Sequence, residues 1–217
     1  LLKEEKFIIG HGGKIGKMII GISGKMGAGK DTLGDILCDL EPKYEIKRFS
    51  DKLKMIASLL SGISVEKFES QDFKQLGMPS VWNKHNSPTT PYGDQHIRMS
   101  VREFLQKIGT EAMRDNLHED VWVNALFADY KERYYGSKNM PNWVITDVRF
   151  PNEANAILNR GGIMVKINRS DTAGINRNHS SETALDSWRG FSYVIDNNGT
   201  LEDLILHADS ILKLECL

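Results

Sequence analysis

Gly24-Lys25-Met26-Gly27-Ala28-Gly29-Lys30-Asp31-Thr32 follows the apolar run Met18-Ile19-Ile20-Gly21-Ile22 and precedes Leu33, Ile36, Leu37 and Leu40, spaced as one face of a helix. Strand, glycine-rich turn and helix are the setting a phosphate-binding loop requires. Glycines let the backbone wrap an anion without Cβ clashes. Successive N–H groups then point inward, and the helix start adds partial positive charge. Lys30 is placed to reach the β- and γ-phosphates of a nucleotide. Asp31, not Ser or Thr, follows the lysine, and the hydroxyl comes one residue later at Thr32. A magnesium ion could be held by Asp31, directly or through water, or by Thr32. Asp31 could instead cap the helix.

Composition sets the frame. The chain has 217 residues, 40% hydrophobic and 26% charged, enough for one domain with a sizeable core. Its net charge of −1 gives no basic field for wrapping nucleic acid. No apolar run reaches membrane-spanning length. Cys38 and Cys216, the two cysteines, form neither a metal spacing nor a disulfide framework. The absence of a charged-then-apolar leader predicts a cytoplasmic protein. Residues 1–17, basic and glycine-rich towards Lys17, read as an extension outside the fold, with 18–217 as a single domain.

Downstream of the loop, Tyr44 and Ile46 alternate with Glu45 and Lys47 as a second strand. Ser50 or Asp51 is placed to cap a helix carrying Leu53, Ile56, Ala57 and Leu60, with Lys52 and Lys54 in its first turn. Lys54 could meet a substrate phosphate or sit on a solvated face. Residues 61–100 are polar, rich in Gly and Pro, and show no sustained period, which predicts an insertion over the substrate side. Ser100 and Glu103 then open a helix through Val101, Phe104, Leu105 and Ile108, with Gly109 as its stop. Asp120 opens another, where Trp122 is either core or a base-stacking surface.

Trp143-Val144-Ile145-Thr146-Asp147 reads as a buried strand ending in a carboxylate, followed by Arg149 and a helix from Pro151. Ile163, Val165 and Ile167 form a fourth strand and Tyr193-Val194-Ile195 a fifth. Leu204, Ile205, Ala208, Ile211 and Leu212 line a closing helix. Strands alternating with helices predict a three-layer α/β fold, a mainly parallel five-stranded sheet covered on both faces. Ligands in such sheets bind at the carboxyl ends of the strands. The segment 169–190 reads as a lid, whose Arg169 or Arg177 would stabilise charge on a transferred phosphoryl group, or as a solvated connection. The last strand and helix could line a homodimer face as readily as the core.

The series Gly-x-x-x-x-Gly-Lys-Asp-Thr at 24–32, Ser-Val-Arg-Glu-Phe-Leu-Gln-Lys-Ile-Gly-Thr-Glu at 100–111, Val-Trp-Val at 121–123, Thr-Asp-Val-Arg-Phe-Pro-Asn-Glu-Ala at 146–154 and His-Ser-Ser-Glu at 179–182 resembles the deoxynucleoside monophosphate kinases of tailed bacteriophages. The resemblance implies a P-loop kinase fold that moves the ATP γ-phosphoryl group to a deoxynucleoside monophosphate. It implies that Gly24 to Thr32 hold ATP. It places Arg102, Gly109, Thr110 and Trp122 around the deoxynucleotide, and Asp147, Arg149 and Glu153 beside the acceptor. Catalysis would rest on Lys30, Arg102, Arg149 and a lid arginine, with magnesium on Asp31 or Thr32 and Asp147 assisting through water. A phage origin would set the protein in a host cytoplasm. The competing readings are another small-molecule P-loop kinase, acting on a nucleoside or dephospho-coenzyme A, and a nucleotide-dependent switch module.

Overall fold

The apolar run ahead of the glycine loop is the central strand of the sheet. In the computed structural model, which describes residues 19–82, 98–131, 140–170 and 180–214, β1 (Ile19–Ser23) is buried at every position. Around it stand β2 (Tyr44–Lys47), β3 (Asn142–Ile145), β4 (Ile163–Asn168) and β5 (Tyr193–Asp196), in the order β2-β3-β1-β4-β5, with every pairing parallel.

Side chains alternate across a strand, so the sheet feeds two cores. Ile19, Trp143, Ile145 and Met164 face α2 (Ser50–Ser61), α5 (Val121–Phe127) and α6 (Pro151–Leu158). Ile20, Ile22, Val144, Val165 and Ile167 face the other way, against α1 (Lys30–Leu40) and α8 (Leu201–Leu214). Both faces are covered, so the central strands carry no polar alternation, as parallel sheets require. The three-layer, five-stranded expectation holds.

A satellite core of Ala57, Phe68, Met78, Val101, Phe104 and Ile108 stands beside the sheet. It orders much of the stretch for which the sequence predicts no regular structure. Val65–Phe68 and Ser80–Trp82 form 3-10 turns, and α3 (Gln71–Gln75) starts where Ser70 Oγ accepts the N–H of Phe73. These elements are too short to show a period, and Phe68 and Met78 anchor them by burial. Residues 83–97 lie outside the described residues, as do the extension 1–17 and Met18.

The helix opened by Ser100 is α4 (Val101–Gln106), and Ser100 Oγ accepts the Glu103 N–H as its spacing predicts. Gly109 does not end it. The chain continues as a π-helix over Lys107–Arg114. The glycine serves close approach instead: a Cβ there would lie 2.8 Å from Leu53 Cδ2. The Gly109 carbonyl also accepts the indole N–H of Trp122 at 2.8 Å. A widened helix that frees a carbonyl for a side chain is a recurrent feature near binding sites.

Within the segment read as a lid, α7 (Ser180–Thr183) leads to Leu185, which is buried in the core beside α5 and α6. Leu185 therefore anchors the described part of that segment to the core, while Ser180, Thr183 and Asp186 are exposed. Arg177 and His179 lie outside the described residues.

Candidate active site

The glycine loop is built by close packing at its two ends. Gly27 and Gly29 take φ of +78° and +102°, the left-handed region that side chains disfavour. At Gly24 a Cβ would sit 2.3 Å from the Ile167 carbonyl oxygen of β4. Asn197, just past β5, donates its amide to the Ala28 carbonyl at 2.9 Å and props the loop from beneath. Lys30 Nζ donates to the carbonyls of Gly24 and Lys25, both at 2.8 Å, drawing the start of the loop towards the helix. Lys25 Nζ pairs with Asp186 at 2.6 Å, tying the loop to the segment after α7.

A cavity of about 280 Å³ opens beside the loop, at the carboxyl ends of β1, β2 and β3. Six cations line it: Lys30, Arg48, Lys54, Lys74, Arg102 and Arg149. Four carboxylates, Asp31, Glu69, Asp147 and Glu153, stand among them. That excess of positive charge suits phosphate groups. Gln106, Gly109, Thr110, Trp122 and Phe150 supply a further wall.

Asp31 does not cap α1. Gly29 holds that position and no side chain caps it. Asp31 Oδ1 instead accepts from Thr146 Oγ1 at 3.0 Å and Arg48 Nη2 at 3.2 Å, joining the loop to the ends of β3 and β2. Asp31 lines the cavity, whereas Thr32 is exposed and absent from its lining. Asp147 is turned to the neighbouring helix. Its two carboxylate oxygens accept the N–H groups of Phe49 at 2.8 Å and Ser50 at 2.9 Å, so it caps α2 from β3. Neither Ser50 nor Asp51 does this: the α2 N-cap is Phe49, and Asp51 accepts the Arg48 N–H.

Arg149 follows β3 and reaches Ser181, with Nη1 at 3.5 Å from both its carbonyl and its hydroxyl. Arg102 Nη2 donates to Gln71 Oε1 at 3.2 Å, while its Nε is buried with no hydrogen-bond partner. Glu153 is buried, and its Oε2 accepts the N–H groups of Arg149 and Phe150 at 2.8 and 3.0 Å. Burial, aided by Asp147, raises its pKa to about 7 against those hydrogen bonds. Trp122 belongs to the core, 6% exposed, and it also lines the cavity. Lys54 is buried and held by both oxygens of Glu69 at 2.8 Å. Arg169 is exposed and stands outside the cavity lining.

Arg48, Glu69, Gln71 and Lys74 join the cavity without having been singled out in the sequence. Arg48 was legible in principle, since it directly follows the second strand, two residues before Ser50. The other three sit in the aperiodic insertion, where spacing carries no signal.

A parallel sheet that sets a glycine loop and its lysine beside a cation-lined cavity has the architecture of the P-loop kinases. Residues 83–207 match the model of the family described as deoxynucleotide monophosphate kinase. The chain is 31% identical over 193 residues to a putative deoxynucleotide monophosphate kinase of Acanthamoeba polyphaga mimivirus, covering 86% of this chain and 91% of that protein. It is 27% identical over 115 residues to the deoxynucleotide monophosphate kinase of Enterobacteria phage T4, covering 53% and 46%. It is 23% identical over 220 residues to the deoxynucleoside-5'-monophosphate kinase of Escherichia phage T5, covering 77% and 85%. The chain belongs to the deoxynucleotide monophosphate kinase family and is a phosphotransferase that takes ATP and a nucleotide. No helix among the described residues is long and apolar enough to cross a membrane.

Proposed function

We propose that the cavity is the phosphoryl-transfer site, with ATP on the glycine loop and the deoxynucleoside monophosphate between the sheet and the satellite core. The observation that carries this reading is that Lys30 of the loop and Arg102 and Arg149 of other elements line one cavity. Phosphoryl transfer needs positioning and charge neutralisation more than covalent help. The amides of Gly24 to Thr32 and the Lys30 ammonium hold the β- and γ-phosphates. Arg102 and Arg149 orient the acceptor phosphate. One of its oxygens bonds to the γ-phosphorus as the bond from that phosphorus to the β,γ-bridging oxygen breaks, and ADP leaves. No general base is required, because a phosphate monoester with a second pKa of about 6 is already ionised near neutral pH.

The residues present fit a magnesium ion. Asp31 is a cavity-facing carboxylate, and magnesium in such sites takes one or two carboxylates plus substrate phosphates. Bound there, the ion would neutralise charge on the β- and γ-phosphates. Thr146 and Arg48 fix the Asp31 carboxylate, while Asp147 contributes by holding α2 in place. Gly109, Thr110 and Trp122 form the wall against the acceptor. Lys54 adds positive charge, and Glu153 holds the Arg149 backbone through its N–H. Arg169 or Arg177 is proposed as the lid arginine that meets the transferred group.

Diphosphate formation from magnesium–ATP with dGMP, dTMP, dCMP, dAMP and the ribonucleotides tests the proposal. Turnover with one or a few deoxynucleotides is expected, and abolition in Lys30→Ala. A folded Lys30→Ala protein with wild-type turnover would sink the assignment of the loop.

A further inference from the structure

Lys74 is a cavity cation carried by the insertion and not by the sheet. It stands on α3, a helix anchored by the buried side chains of Phe68 and Met78 on either side in sequence. Its neighbours are mostly of its own sign. Lys54 comes from α2, Arg102 from α4 and Arg149 from the turn after β3. Among the described residues the carboxylate that acts on it is Glu69, and both Glu69 oxygens are taken by Lys54 at 2.8 Å. The Lys74 ammonium is left with the Glu69 carbonyl at 3.4 Å. Gln71, one turn earlier on α3, fixes Arg102 at 3.2 Å, so the helix couples two of these cations to one wall.

Crowding cations in a half-buried site costs free energy unless an anion is supplied there. The Lys54–Glu69 pair is internally neutral, which leaves Lys74 with no carboxylate oxygen as a hydrogen-bond partner among the described residues, beside Arg102, whose Nε is buried with no hydrogen-bond partner. The glycine loop, with its own amides and Lys30, serves the donor phosphates. We propose that Lys74 is a further acceptor-binding residue, which clamps the phosphate of the deoxynucleoside monophosphate from the insertion side together with Arg102. This rests on the assignment of the cavity as the acceptor site.

A pH signature follows. Burial first, and then the Lys54 ammonium, lower the Lys74 pKa to about 8, with Glu69 opposing and Arg102 and Arg149 adding to the fall. A phosphate dianion favours the protonated amine. Acceptor capture is therefore greatest between the second phosphate pKa of about 6 and the Lys74 pKa of about 8, and is lost as the pH rises through the latter, where kcat/KM reports the free enzyme. Glu153, at about 7, titrates in a separate and lower step.

The experiment is steady-state kinetics of wild type, Lys74→Met and Lys74→Arg, varying the deoxynucleotide and ATP separately from roughly pH 6 to 10. Lys74→Met should raise the KM for the deoxynucleotide about tenfold, the loss of one charged hydrogen bond, while the KM for ATP stays within about twofold. Wild-type kcat/KM for the deoxynucleotide should fall above pH 8. Lys74→Arg should retain most of the affinity and move that fall to higher pH. An unchanged acceptor KM in Lys74→Met, an equal rise in both KM values, or a wild-type profile flat through pH 8 would overturn the inference. If the wild type phosphorylates no deoxynucleotide, the cavity assignment falls and takes the inference with it. Normal wild-type turnover with an indifferent Lys74→Met defeats the inference alone.

Discussion

Asp147 accepts the backbone N–H of Ser50 at 2.9 Å, so the residue that follows β3 closes the start of the helix that follows β2. Its other oxygen takes Phe49, and no side chain of α2 itself caps that end. The two walls of the cavity are thus held together by a carboxylate whose sequence position suggests a ligand. Asp147→Ala should lower stability by about 1–2 kcal/mol, the usual cost of a lost cap, and Asp147→Asn by less because it keeps one acceptor. Urea unfolding followed by circular dichroism reads this. Equal stability of Asp147→Ala and wild type would remove the capping role.

Lys30 and Arg102 should separate kinetically. Lys30→Ala should abolish turnover, since the lysine serves the transferred group itself. Arg102→Ala should chiefly raise the KM for the deoxynucleotide, by about tenfold or more for a charged contact. Initial rates with each substrate varied in turn decide it. An Arg102→Ala protein altered in ATP affinity alone would move that arginine to the donor side.

Gly109 and Leu53 form a tight contact between the π-helix and α2. A Cβ at 109 would stand 2.8 Å from Leu53 Cδ2, a flexible group that can give way only in part. Gly109→Ala should cost roughly 1–3 kcal/mol through overpacking. Leu53→Val should reduce that penalty, so the two changes together should cost less than their sum. Additive effects in a double-mutant cycle by thermal unfolding would show that the contact is not what constrains the glycine.

Glu153 predicts a stability change with pH. Its folded pKa of about 7 lies above the ordinary carboxyl value of 4.5, so the folded state binds more protons between these two values. Stability therefore falls as pH rises from about 4.5, and the penalty is complete above 7. Glu153→Gln keeps an acceptor oxygen for Arg149 and Phe150 and removes the charge. Its stability relative to wild type should rise across that window by at most roughly 3 kcal/mol. A difference independent of pH would mean that Glu153 stays ionised throughout.

Particular residues show how far the chain could be read in advance. Gly24 to Asp31 were legible because the loop is local: its glycines, its lysine and its flanking strand and helix are neighbours along the backbone. The central strands were legible because parallel strands buried on both faces are written as apolar runs, and the edge strand β2 because Tyr44 and Ile46 alternate with Glu45 and Lys47. Gly109 was misread as a helix stop because glycine serves two needs, positive φ and close approach, and only the position of Leu53 tells which. Ser50 and Asp51 were natural caps by spacing, yet the cap came from Asp147, remote in sequence.

The sequence by itself determined the sheet, the phosphate loop at its centre and the residues after the strands that would face a ligand, because these follow from backbone periodicity and from glycine and lysine chemistry over a few residues. Only the tertiary structure decided that Asp31 lines the cavity while Thr32 does not, that Asp147 caps α2, and that Lys74 and Glu69 of the insertion join Lys54 and Arg102. Those outcomes depend on burial and on charge at distances of a few ångströms between segments far apart in the chain, and such distances exist only once the sheet and the satellite core have packed.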